Sequence, residues 1–410
     1  MKKIYSLMFA MGAICAASLT SCSSDSLDAE YVAVKESRSG NWSFYSPDGK
    51  MVCKDEFKSE PSAVINGYFY VQEGEKGLYT LYKVGEKPEA VKGCEGLYSV
   101  GYMSEGIVPV VKKDARITFV DKNGEVKFTL EPIGGKEIVA ASAYATEGMI
   151  AVLNADGKCG YVNTKGETVI EPKYADATSF VDGMAIVREK GKDDYTLGAY
   201  LVIDKKGEQV FKLKDGYTPA DAFKDGYLLC KDANGQALLL DKKGEQAFKF
   251  KDGVSVKDYN SKYVLYRDLD GSGVMTLEGE VKIKPGKYTS FDFVDESKFI
   301  ADKDEKTVIL NADGEETKVF DGTVRYDKNF GYRMIGSNTT TFIDEDGKEK
   351  KDATFFYIGD FGVRKSVVYS SFKSKKDEAA AAPVAPSYSD YSEPDATTEV
   401  VEEATEEVTY

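Results

Sequence analysis

A chain of 410 residues that is 42 % hydrophobic can bury a sizeable core, and it is too long for one small domain unless that domain is a barrel or a repeat array. Its net charge of −15, with no basic stripe, argues against a nucleic-acid partner, because phosphate recognition needs clustered Lys and Arg. The count of zero histidines excludes Ser-His-Asp and Cys-His nucleophile activation, His-ligated zinc and a His general base, which leaves carboxylate chemistry of the glycoside-hydrolase kind as the open enzymatic route.

The chain opens with the basic start Met1-Lys2-Lys3, followed by a mostly apolar run over residues 4–19. A bilayer-spanning helix needs ~20 apolar residues, so residues 1–21 read as a signal peptide and not as an anchor. The run ends in Leu19-Thr20-Ser21-Cys22, which resembles the bacterial lipobox and implies lipidation of Cys22. One acyl chain holds a protein marginally, whereas the two or three of a lipoprotein hold it stably. Residues 22–30 then form a lipidated tether. Ser23 fits the sorting of lipoproteins away from the inner membrane, and residues 24–30 are similar to surface-export signals of Bacteroidota lipoproteins. The location so implied is the outer membrane, lipid-anchored, periplasmic or surface-exposed.

Residues 31–373 carry an internal repeat. Turn tetrapeptides recur as Pro47-Asp48-Gly49-Lys50, Lys122-Asn123-Gly124-Glu125, Thr164-Lys165-Gly166-Glu167 and Lys205-Lys206-Gly207-Glu208. They continue as Lys242-Lys243-Gly244-Glu245, Leu277-Glu278-Gly279-Glu280, Ala312-Asp313-Gly314-Glu315 and Glu345-Asp346-Gly347-Lys348. A ninth, Lys83-Val84-Gly85-Glu86, is divergent, and the glycine gaps are 36, 39, 42, 41, 37, 35, 35 and 33 residues. Each turn follows a β-like run that ends in a polar residue, as in Gly160-Tyr161-Val162-Asn163, and a glycine with positive φ closes such a hairpin. Upstream, an aromatic precedes a second glycine by three or four residues: Tyr102/Gly106, Tyr144/Gly148, Phe180/Gly183 and Phe223/Gly226. One unit reads as an aromatic-bearing strand, a Gly-started apolar strand, a second apolar strand, the Gly turn and a returning strand. Four strands of ~5–6 residues fill a period of about 37 residues. The body lacks sustained 3.6-residue periodicity, so the fold class is all-β, an array of eight to nine four-stranded units.

Within this array, the stretch GKCGYVNTKGETVIEPKY over residues 157–174 resembles the WG-repeat pattern, Gly-Lys-Trp-Gly-Tyr-Ile-Asp followed by a Gly turn, a Val/Ile pair, Pro and Tyr. Cys159 stands where that pattern has Trp, and Trp42 in Gly40-Asn41-Trp42-Ser43-Phe44 keeps the Trp without its Gly. The resemblance implies an exported bacterial repeat scaffold and specifies no ligand. The array begins in mid-unit with Tyr31-Val32-Ala33-Val34 and ends in mid-unit with Phe355-Phe356-Tyr357-Ile358 and Val367-Val368-Tyr369. A β-propeller shares one blade between complementary ends of this kind, so a closed ring is expected, with an open β-solenoid as the alternative. Propellers usually have ~4–8 blades, so a ring is expected to leave one or two of the nine turns without a blade of their own.

Beyond the signal peptide and Cys22, the cysteines are Cys53, Cys94, Cys159 and Cys230, with none of the paired spacing of a metal site. Cys53 and Cys94 are the one candidate disulfide pair in an exported protein; small buried strand residues are the plainer expectation for all four. Asp268-Leu269-Asp270-Gly271-Ser272 starts like a calcium loop, with Asp268, Asp270 and Ser272 as candidate ligands, but Gly279 stands where the loop needs Glu. A polar hairpin explains these residues, and Asn154-Ala155-Asp156-Gly157, equally well. Residues 374–410 combine Ala, Pro and acidic residues and are expected to form a disordered acidic tail. The function expected is a membrane-anchored binding or assembly scaffold with a protein or glycan partner and no cofactor. The alternative is a carboxylate-dependent glycoside hydrolase or lyase, marked by three or more carboxylates with aromatics at one mouth of the array.

Overall fold

The polar residue that ends each apolar run turns the chain. At Asp121 the carboxylate accepts hydrogen bonds from the N–H groups of Asn123 (2.8 Å) and Glu125 (3.1 Å), while Gly124 donates to the Asp121 carbonyl and has φ +79°. This is a three-residue hairpin loop, a type I turn closed by a left-handed glycine. Asn163, Asp204, Asp241, Asn311 and Asp344 repeat the same two side-chain bonds, and Thr276 does so through its hydroxyl. The divergent ninth unit departs from this geometry. Gly85 is absent from the positive-φ glycines, and Val84 donates instead to the Gly67 carbonyl.

A computed structural model describes residues 27–74, 77–191, 197–220 and 222–363, and the backbone of 367–369. All regular structure in them is β, arranged as nine antiparallel blades in a ring, a β-propeller. Blades 3 to 9 span residues 99–129, 138–174, 176–212, 218–249, 255–288, 290–321 and 323–355. Blade 2 spans 61–90, and its first strand is reduced to the Pro61↔Val71 bridge. Blade 1 takes its second to fourth strands from Val32–Lys35, Trp42–Tyr45 and Met51–Phe57, and its first strand, Tyr357–Ile358, from the far end of the chain. The expected closure by complementary ends is therefore found, and all nine units build blades, the divergent one included.

Alternation explains why the strands read as continuous apolar runs. In Met149–Asn154 every residue is buried. Met149, Ala151 and Leu153 pack with Ala177, Val187 and Ile203 of blade 5. Ile150 and Val152 face the other way, onto Ile117 and Phe119 of blade 3. Successive side chains of a strand point to opposite faces, and in a ring both faces are covered. Nine apolar clusters fill the nine junctions between blades. The closing junction holds Val32, Val34 and Tyr45 of blade 1 against Phe330, Phe342 and Phe355 of blade 9, with Tyr45 stacked on Phe342 at 4.8 Å between ring centroids.

Three sequence expectations need correction here. The recurring aromatics lie in the connections after the first strands and not within them: Tyr144 follows Ile138–Ala141, and Phe180 follows Asp176–Thr178. Burial selects them there, since both are fully covered, Phe180 within the junction of blades 4 and 5. Residues 27–30, assigned to the tether, belong to the fold. Leu27 and Asp28 pair with Val363 and Gly362, and Ala29 is buried. Val367–Tyr369, assigned to the closing unit, pairs instead with Asp176–Thr178 as a fifth strand on the channel side of blade 5.

The turn glycines also seal the junctions. A Cβ on Gly166 would stand 2.6 Å from Phe128 of blade 3, and one on Gly244 would stand 2.5 Å from Phe211 of blade 5. The outer strand of one blade thus tucks a ring under the next blade's turn. Gly235 has φ +80° but nothing within 4 Å of its would-be Cβ. Gly244→Ala is expected to cost about 2–4 kcal/mol in chemical denaturation, through left-handed strain plus overpacking, and Gly235→Ala only about 1 kcal/mol through strain alone.

Candidate functional site

An antiparallel meander sorts its connections onto two faces. The turns from first to second and from third to fourth strand lie on one, here the turn face. Those from second to third strand, and from blade to blade, lie on the other, the loop face.

On the turn face, blades 2 to 6 share a second device. Asn66-Gly67, Glu105-Gly106, Glu147-Gly148, Asp182-Gly183 and Asp225-Gly226 have positive φ at both residues, the type I′ hairpin in which Gly and short polar residues are favoured. The first residue then reaches to the next blade. Glu105 accepts from Gly148 N–H at 3.0 Å, Glu147 accepts from Gly183 N–H at 3.0 Å, and Glu30 does the same for Gly67 at 2.8 Å. Lys205 and Lys242 bind Glu147 and Asp182 at 3.1 and 3.2 Å.

Between blades 6 and 9, ion pairs replace these clasps. Lys224 of blade 6 meets Asp258 of blade 7 at 2.5 Å, with both side chains buried. Burial pushes the Asp258 carboxyl up, and the Lys224 charge pulls it down without cancelling that. Lys257 of blade 7 binds Asp292 of blade 8 at 2.6 Å. Arg325 of blade 9 forks onto Asp302 of blade 8 at 2.8 and 3.0 Å. Burial alone would raise Asp302, but the hydrogen bonds from Arg325 and Ser290 outweigh it and hold the carboxyl below its usual range. Sequence reasoning passed over these pairs. Their signal was spacing, since Lys224/Asp258 and Lys257/Asp292 stand 34 and 35 residues apart, one repeat.

The loop face is less regular. Its second-to-third-strand turns run from two residues (Leu269 and Asp270) through five (residues 112–116) to six (residues 36–41). Leu269 is 99 % exposed at a turn tip. The calcium candidates sit here without converging. Asp268 accepts from Asp270 N–H at 2.9 Å, whereas Ser272 lies in the following strand and donates to the Thr289 carbonyl at 2.9 Å. Asn154 likewise accepts from Asp156 and Lys158 N–H groups at 3.1 and 2.9 Å, so it holds its own turn. Among the described residues, no group of three or more Cys, Asp and Glu side chains has metal-holding geometry.

In the channel wall between blades 1 and 2, Glu60 reaches Gly359, whose would-be Cβ stands 3.1 Å from Glu60 Oε1. Burial of its carboxyl, and secondarily Asp360, raises Glu60 above the usual range although the residue as a whole is exposed. Nearby, Tyr70 donates to Tyr102 Oη at 3.0 Å, and Tyr79 stands edge-on to Tyr70. Burial pushes the Tyr102 hydroxyl up to about 12 and Tyr70 well above its ordinary value. These are two carboxylates beside tyrosines, a grouping not seen in the sequence because its members come from residues 60 and 360.

Cys53, Cys94, Cys159 and Cys230 are all free and buried, so the Cys53–Cys94 pairing does not form. Cys53 donates to the Gly85 carbonyl in its own niche at 3.0 Å. Burial raises Cys53, Cys94 and Cys230, the last to about 12, the opposite of an activated thiol. Cys159 and Trp42 occupy equivalent places at the start of a third strand, seven residues before Gly166 and Gly49. Gly160 is required because its would-be Cβ would lie 2.5 Å from the Ile170 carbonyl of the bulged outer strand. Cys22 and the tail from 374 lie outside the described residues.

Residues 160–192 match the family model described as "WG containing repeat". No curated protein matches the chain. Among solved structures, one titled as the eukaryotic initiation factor is similar over 83 % of this chain and 99 % of its own, at 11 % identity and a TM-score of 0.54, a likeness of fold alone. BamB from Moraxella catarrhalis (14 % identity, 79 % of this chain, 95 % of its own, TM-score 0.35) is also similar. So is the WD40 β-propeller domain of Doa1 (13 %, 76 %, 93 %, TM-score 0.30).

Removing Lys224 strands a buried carboxylate. Lys224→Met is expected to cost about 3–5 kcal/mol in denaturant unfolding, much of it recovered in the double variant with Asp258→Asn. Glu60 gives a pH signature. A carboxyl raised on folding destabilises the fold once pH exceeds its folded-state value, so Glu60→Gln should raise Tm near pH 7 and lose that gain below the ordinary value of 4.5.

Proposed function

We propose that the protein is a lipid-anchored envelope scaffold, held at the outer membrane through Cys22, whose ring presents the loop face to a protein or glycan partner. One observation carries the reading: the turn face repeats the same hairpin turns around the ring, whereas the loop face changes from blade to blade. On the turn face Asx side chains hold the turns, while Glu105, Glu147, Lys205 and Lys242 clasp neighbouring blades. The loop face varies in length from blade to blade and exposes an apolar tip at Leu269. Variable loops on a rigid frame are where binding residues concentrate. The lipobox-like Leu19-Thr20-Ser21-Cys22 supports the anchor.

The second reading, a carboxylate-dependent glycoside hydrolase or lyase, draws on Glu60 and Asp360 beside Tyr70 and Tyr102. A carboxyl whose hold on its proton is raised by burial, beside a second carboxylate, suits general acid catalysis. It is the weaker reading because the Tyr70 hydroxyl is already bonded to that of Tyr102, and only two carboxylates meet.

Metabolic labelling with palmitate tests the anchor. Label should enter the wild-type chain and be absent from Cys22→Ser, which should also leave the membrane pellet for the soluble fraction. Photo-crosslinkers at Leu269 and Lys113 should couple the ring to an envelope protein or glycan, whereas no adduct from any loop-face position would count against a scaffold.

A further inference from the structure

The path of the first described residues places the amino-terminal segment at one face of the ring. Leu27 and Asp28 pair with Val363 and Gly362, and Asp28 binds Lys328 in the first turn of blade 9 at 2.5 Å. Ala29 donates to the Phe361 carbonyl at 3.0 Å, and Glu30 accepts from Gly67 in the first turn of blade 2. Both partner turns, at Lys328 and at Gly67, connect first and second strands, so both belong to the turn face. The amino-terminal segment therefore enters the ring at the mouth of the channel on that face.

Cys22 lies five residues before Leu27. Even a fully extended chain covers at most ~3.6 Å per residue, so an acyl group on Cys22 sits within about 18 Å of Leu27. The loop face is a strand length further away, about 17–20 Å, on the opposite side. Resting on the anchor proposed above, we infer that the turn face lies against the lipid headgroups and that the loop face points away from the membrane. The geometry of the tether carries this inference, because the turns of that face hold charges of both signs. In blades 3 to 6 the turn tips carry the exposed lysines Lys122, Lys165, Lys206 and Lys243, each followed in the same turn by an exposed glutamate, Glu125, Glu167, Glu208 and Glu245. Among the acids of that face, Glu105 and Glu147 are engaged by neighbouring N–H groups, and Glu147 and Asp182 by lysines.

The test uses the full acylated protein reconstituted in phosphatidylethanolamine–phosphatidylglycerol vesicles containing a headgroup-nitroxide lipid. Lys206→Cys on the turn face and Leu269→Cys on the loop face each accept a bimane label, and the four buried native thiols provide an unlabelled wild-type background. Lys243→Cys and Lys113→Cys form a second pair, should either of the first disturb the ring. The nitroxide is expected to quench the turn-face probe at least about three-fold more than the loop-face probe, following the difference in distance to the headgroups. Equal or reversed quenching in protein whose Cys22 is shown by mass spectrometry to be acylated overturns the orientation and leaves the anchor standing. An unmodified Cys22 overturns both.

Discussion

A four-stranded sheet with two apolar faces cannot stand in water, and every feature of this ring follows from that. Phe119 needs blade 4 to cover it, while Val120 on the same strand needs blade 2. No blade has a polar face to leave exposed, so the array has no natural end. An open solenoid would leave two apolar sheets bare. Closure through Tyr357–Ile358 in blade 1 removes both, and Tyr45 packs with Phe342 and Phe355 to fill the last junction. Nine blades instead of fewer is the consequence of nine junctions each filled by its own apolar set.

The outer edge of the ring meets a second constraint, because the fourth strand of each blade has unpaired backbone on its far side. In every blade from 3 to 9, and in blade 1, the register between third and fourth strands shifts at a bulge. Bulges and lysines discourage edge-to-edge pairing with another chain. Val126, Val210 and Val319 stay exposed on these strands, each beside a charged or amide neighbour. The bulge also explains Gly160, since the displaced Ile170 carbonyl would collide with any side chain there.

Much of this was legible before any coordinate. The glycine period, the polar residue before each turn and the half-units at Tyr31 and Tyr357 carry the architecture, because they are local signals of hairpin chemistry. What escaped was what one blade does to the next. The Glu105–Gly148 clasp, the Lys224–Asp258 pair and the Phe211–Gly244 contact join residues one repeat apart, and no propensity or turn rule refers to such a distance. The Glu60–Gly359 meeting escaped for a stronger reason: it exists only because the ring closes. The calcium-like Asp268-Leu269-Asp270 shows the ambiguity of such spacing, since oxygens placed to suit an ion also suit an Asx turn, and the backbone N–H of Asp270 takes the carboxylate.

The same competition bears on function. A side chain that caps its own turn or clasps the next blade has little left for a ligand, and on the turn face the Asx residues, Glu105 and Glu147 are so engaged. The blades from 6 to 9 show the same economy in another form, with Lys257, Asp292, Asp302 and Arg325 on or beside the inner strands neutralising one another across the junctions. The channel is further narrowed by the chain's own Val367–Tyr369, paired along Asp176–Thr178 and running toward the loop face. In the proposed reading recognition falls to the loop face, whose turns differ from one another because no junction dictates their length.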